Sequence, residues 1–108
     1  MKMEKEQAHW IYKTMNEIRF FEEKVHKIFS DGRIPGFVHL YVGEEAVATG
    51  VMSQLNDDDY ITSTHRGHGH AIAKGCDLNG MMAEIMGKRD GLGHGKGGSM
   101  HVDRKSTR

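Results

Sequence analysis

Apolar residues recur at Ile11, Met15, Ile18, Phe21 or Phe20, Val25, Ile28 and Phe29, with charged residues between them. That spacing follows the 3.6-residue period of a helix and predicts one long amphipathic helix from Glu4 to Ser30. Glu4 and Glu6 suit its N-terminal dipole, and Ser30-Asp31-Gly32 followed by Pro35 supplies the stop. Gly36 to Tyr41 is a short aromatic and β-branched run, read as an extended, partly buried connection. Gly43 opens a second helix with Glu44 and Glu45 in its first turn. Its expected buried stripe is Val47, Ala48, Val51, Met52 and Leu55, and Asn56-Asp57-Asp58 ends it. Tyr60 to Thr64 has strand composition, although a lone strand needs a partner that the sequence does not offer. Gly67 to Lys74 forms a short helix closed by Gly75. Leu78, Met81, Met82 and Ile85 repeat at i, i+3, i+4 and i+7 in a fourth helix, closed by Gly87. From Lys88 onward the pattern is that of a loop. Met81, Met82 and Met86 read as core residues on this spacing.

At 108 residues the chain is at most one domain with a thin core, mainly α-helical with one short strand. No internal repeat or domain boundary is visible. Lys plus Arg balances Asp plus Glu at 15 each, so no net field draws the chain to nucleic acid or to an anionic membrane. Cys76 is the only cysteine, which excludes an internal disulfide and a Cys-rich zinc site and fits a reducing, cytoplasmic setting. Neither a signal peptide nor a membrane-spanning run is visible.

Two clusters change this picture. The 14 glycines are roughly twice the usual share, and five of them fall between Gly91 and Gly98; three of the 8 histidines, His65, His68 and His70, fall within one short run. Thr64-His65-Arg66-Gly67-His68-Gly69-His70 sits where the expected strand meets a helix, a common place for anionic ligands. Arg66 offers a planar fork of donors suited to a phosphate, with His65 beside it. The competing reading is a polar turn whose histidines bond locally. The same three histidines raise the possibility of a metal site, yet they match no zinc spacing and have no nearby acidic or Cys partner.

Gly91 to Ser99 invites comparison with a phosphate-binding P-loop and with a dinucleotide fingerprint. The P-loop fails because Asp90 and Gly97 stand where Gly and Ser or Thr are needed. Gly93-x-Gly95-x-x-Gly98 has the dinucleotide spacing but follows a helix rather than a strand. A surface loop is the alternative. His39, between Val38 and Leu40, reads by itself as a hydrogen-bonded core residue more readily than as a catalyst.

Three segments in order carry a resemblance: Gly36-Phe37-Val38-His39-Leu40-Tyr41-Val42-Gly43-Glu44-Glu45-Ala46, Asp59-Tyr60-Ile61-Thr62-Ser63-Thr64-His65-Arg66-Gly67-His68-Gly69, and Gly95-Lys96-Gly97-Gly98-Ser99-Met100-His101. Together they resemble the N-terminal third of the E1 α subunits of pyruvate, branched-chain 2-oxoacid and acetoin dehydrogenase complexes, from about Lys5 to His101. The resemblance implies an α/β thiamine-diphosphate-binding fold, present here as its N-terminal fragment. It implies that His65 and Arg66 contact the diphosphate of thiamine diphosphate and that His39 faces the substrate side. It also implies an E1 β subunit and a lipoyl-bearing E2 component as partners, with an α2β2 parent enzyme. Acyl transfer to lipoyl is the implied reaction. Pyruvate-using members often carry Tyr where His65 stands, and the wording from Thr64 to His70 is most similar to the acetoin-cleaving branch. The Gly95 to His101 signature implies a role in shaping the loop near the cofactor.

Family members continue to a Gly-Asp-Gly segment and an Asn that hold Mg²⁺. This sequence has neither, and 102–108 drift from the usual continuation. The expectation is therefore a truncated segment of the enzyme with its Mg²⁺ ligands elsewhere. Two rivals accompany it: a non-catalytic remnant or interaction module docking through the first helix, and a small His-based metal binder.

Overall fold

A computed structural model of the chain describes residues 3–102, and among these the regular elements are four helices. α1 spans Lys5–Ser30, α2 Glu45–Met52, α3 His68–Lys74 and α4 Leu78–Ile85. The tail reading at 103–108 lies outside the described residues.

α1 runs 26 residues, about 39 Å at the helical rise. It buries Ile18, Phe21, Val25 and Ile28 along one stripe and leaves Phe20 66% exposed, which settles the choice between the two phenylalanines. α1, α2 and α3 pack on one another in pairs. Tyr41, Ala48, Met52, Ile72, Met81 and Ile85 complete the core.

Three helices end the same way. Arg33 N–H donates to Ile28 O and Gly32 N–H to Phe29 O; Cys76 and Gly75 do this for Ala71 and Ile72, and Lys88 and Gly87 for Ala83 and Glu84. In each case the turn passes through a left-handed glycine, with φ of 76° at Gly32, 102° at Gly75 and 71° at Gly87. This is the Schellman arrangement, which satisfies carbonyls that the helix itself leaves over. α4 begins on Asp77, whose carboxylate accepts from Gly80 N–H at 2.8 Å.

Three expectations are corrected. Tyr60 to Thr64 forms no strand among the described residues: no neighbouring segment presents a ladder to pair with, and Tyr60 is 88% exposed. The buried stripe of α2 keeps Ala48 and Met52 as expected but takes in Glu45 and Thr49, while Val47 and Val51 lie outside. The helix is rotated because Glu45 turns toward α1, where Arg19 Nε donates to its carboxylate at 2.7 Å. Gly43 N–H donates to the same carboxylate at 3.0 Å, so α2 starts at Glu45 rather than at Gly43. Burial and the two partners pull in opposite directions on Glu45. Its hydrogen bond from Arg19 prevails and holds the acid at about 2.

Candidate functional site

The site is built where residues 39–41 lie against residues 63–70. Glu22, in the middle of the apolar face of α1, is fully buried and accepts from Tyr41 N–H at 2.6 Å. Arg66 Nη1 donates to Leu40 O at 2.9 Å, pulling the following turn onto the same segment. Gly69 lies flat on the Tyr41 ring, so any Cβ at that position would overlap ring carbons. These three contacts fix the pairing of the two segments.

His39, His65 and Arg66 come together as a result. The His39 and His65 rings meet edge to face with centroids 4.8 Å apart, and the Arg66 side chain lies on the neighbouring Leu40 carbonyl. Arg66 and His65 are exposed and His39 is half-buried. His39 is therefore paired with another imidazole, unlike the hydrogen-bonded core histidine that its own neighbours in sequence favour. The exposed guanidinium uses one nitrogen to anchor itself and presents the rest of its fork outward. That donor set fits a diphosphate.

The other two histidines of the run face elsewhere. His68 is buried, with Nδ1 2.7 Å from Glu22 Oε1 and Nε2 2.9 Å from Ser99 Oγ and 3.0 Å from Ser99 O. It thus joins α1, α3 and the glycine-rich segment. His70 Nδ1 lies 2.6 Å from Ser63 Oγ and its Nε2 3.1 Å from Tyr41 Oη. Burial pushes the pKa of His70 below the ordinary imidazole value, so the ring resists protonation, and burial raises that of the Tyr41 phenol. Because the three histidines diverge onto separate partners, they do not form a common ligand set. Among the described residues no group of three or more His, Cys, Asp or Glu side chains is placed to hold a metal ion.

The glycine-rich segment winds around one side chain. Glu84, fully buried on α4, accepts from Gly93 and Gly95 N–H on Oε1 and from Gly97 and Gly98 N–H on Oε2. Burial alone would raise this acid; the four amides outweigh it and hold Glu84 below the usual carboxylate range. The amides of the dinucleotide-like Gly93-x-Gly95-x-x-Gly98 spacing are thus occupied by the protein itself. A cleft of about 510 Å³ is lined among others by Ser63, Thr64, Gly67, His70, Lys74 and Ser99. His39, His65 and Arg66 stand outside its lining.

Sequence reasoning missed Glu22, Glu84 and the bonding of His68 and Ser99. The available signal was the placement of both glutamates on core-facing helical positions, Glu22 next to Phe21 and Glu84 next to Ile85, where a carboxylate must find donors.

The dehydrogenase E1 component family matches residues 12–108 of the chain. The chain is 66% identical over 102 residues to the α subunit of an acetoin:2,6-dichlorophenolindophenol oxidoreductase of Bacillus subtilis, a match covering 94% of this chain and 31% of that protein. It is 57% identical over 100 residues to the corresponding subunit of Cupriavidus necator, covering 93% of this chain and 30% of the relative. A pyruvate dehydrogenase E1 component subunit alpha of Rhizobium meliloti is 47% identical over 91 residues, covering 84% and 26%. The chain thus spans about a third or less of the length of these relatives.

Proposed function

The chain belongs to the dehydrogenase E1 component family, and from that premise we propose that it supplies the diphosphate-anchoring segment of a thiamine-diphosphate-dependent E1 α subunit. Acetoin is the proposed substrate of the whole enzyme, with pyruvate or another 2-oxoacid as the alternative. The two relatives named for acetoin share more of their residues with this chain than the one named for pyruvate does. The observation that carries the reading is the joining of His39, His65 and Arg66 by two segments distant in sequence, with the Arg66 fork turned outward from its anchor on Leu40 O.

In this reading Arg66 and His65 bind the diphosphate, which fixes the cofactor's position and orientation. His39, packed against His65, borders the substrate side and holds a proton donor or acceptor there. When bound, thiamine diphosphate supplies the electron sink for cleavage next to a carbonyl. The Mg²⁺ that would accompany the diphosphate is proposed to take its protein ligands from the rest of the enzyme. The E1 β subunit and a lipoyl-bearing E2 component are the proposed partners in an α2β2 enzyme. Among the described residues no helix is long and apolar enough to cross a membrane, and we place the enzyme in the cytoplasm.

The test is acetoin-dependent dye reduction by this subunit assembled with its β partner. Arg66→Ala should raise the KM for thiamine diphosphate about 10-fold or more, the worth of one charge-assisted contact. His39→Ala should lower kcat with that KM little changed. Turnover indifferent to thiamine diphosphate would overturn the proposal.

A further inference from the structure

A carboxylate has about four acceptor positions, and in Glu84 all four go to backbone amides of one loop, those of Gly93, Gly95, Gly97 and Gly98. A buried charge is tolerated only when it is bonded in this way. Glu84 also accounts for much of the glycine content. A Cβ at Gly91 would lie 2.5 Å from Glu84 Cα, and one at Gly93 would lie 3.2 Å from Oε1. Gly95 and Gly98 have φ of 80° and 67°, turning their N–H groups inward through conformations that L side chains avoid.

The loop does not end at the carboxylate. Ser99 follows Gly98 directly, and both its hydroxyl and its carbonyl lie on His68 Nε2. His68 is two residues from Arg66 and is held from behind by Glu22. A continuous path of bonded groups therefore runs from Glu84 through the loop to the turn that carries His65 and Arg66.

We propose that Glu84 is a positioning residue of the cofactor site: its carboxylate shapes the 91–98 loop, and the Ser99–His68 contact passes that shape to the His65–Arg66 turn. The proposal rests on reading that turn as the diphosphate anchor. Glu84→Gln is nearly the same size but replaces one oxygen by an NH₂ group. That group faces two amide donors, so two bonds are lost and donor meets donor, while the core volume is preserved.

The experiment compares wild type, Glu84→Gln and the exposed-site control Glu6→Gln, each assembled with the β partner. Amide hydrogen exchange at 93–98 should quicken about 10-fold or more in Glu84→Gln, with α1 unchanged. The KM for thiamine diphosphate should rise about 10-fold, with kcat at saturating cofactor within about 3-fold of wild type. Unchanged loop exchange, or quickened exchange with an unchanged KM, overturns the proposal. If wild type shows no dependence on thiamine diphosphate, the anchor reading falls and the cofactor role of Glu84 falls with it, while the exchange arm still judges its hold on the loop. Should Glu84→Gln fail to fold, Ser99→Ala decides: it removes one of the two contacts on His68. It should raise the KM about 3-fold with protection at 93–98 retained, and an unchanged KM overturns the proposal.

Discussion

Glu45 and Gly69 show what single residues contribute around the site: Glu45 ties the start of α2 to α1, and Gly69 lets residues 63–70 close onto Tyr41. Glu45 is an acid at about 2 in the folded chain against an ordinary 4.5, because Arg19 and Gly43 bond its ionised form. Its contribution is complete above about pH 5 and disappears as pH falls toward 2. Arg19 is 43% exposed, so solvent screening reduces the full linkage value to about 1 kcal/mol. Urea unfolding followed from about pH 6 to about pH 2 should lose that stability in the wild type, while Glu45→Gln should lack it at the upper end and show a flatter acid limb. Gly69 touches the buried Tyr41 ring, so Gly69→Ala should cost about 1–3 kcal/mol through overpacking, read as a lower thermal midpoint. The glycine run and the histidine run were visible in the sequence as unusual. Which histidine faced which partner was not, because that depends on Glu22 and Tyr41, 46 and 29 positions away from His68 and His70.

At the scale of the element, helix ends were the most legible feature. Gly32, Gly75 and Gly87 were each expected as stops, and each sits left-handed in a Schellman turn; the reason is local, since only glycine enters that conformation without strain. The face of a short helix was less legible. α2 has apolar residues all around, and the charged pair of Glu45 and Arg19 decided which side turned inward, leaving Val47 and Val51 in solvent. Tyr60 to Thr64 shows the opposite failure, strand composition without a strand to pair with. Two substitutions should move stability in opposite directions. Asp77→Ala removes the N-cap bond to Gly80 and should cost about 1 kcal/mol. Gly50→Ala, inside α2 with open space around its Cβ, should gain about 0.5–1 kcal/mol. Chemical denaturation of both variants checks the signs.

For the whole molecule, the family was legible because three motifs occur in a fixed order, and the family match over residues 12–108 agrees with it. The corner formed by His39, His65 and Arg66 was legible only through that resemblance; spacing alone gives no reason for residues 39 and 65 to meet. The physical cause lies in the buried Glu22, which binds both the Tyr41 amide and His68 and so brings residues 39–41 and 63–70 together. In the proposed function this corner anchors a diphosphate. The most direct test is calorimetric titration of Mg²⁺–thiamine diphosphate into the chain assembled with the proposed β subunit, wild type against Arg66→Ala. Wild type is expected to bind, and the variant to bind about 10- to 100-fold more weakly. Equal affinity in the two proteins, or no binding by wild type, would contradict it.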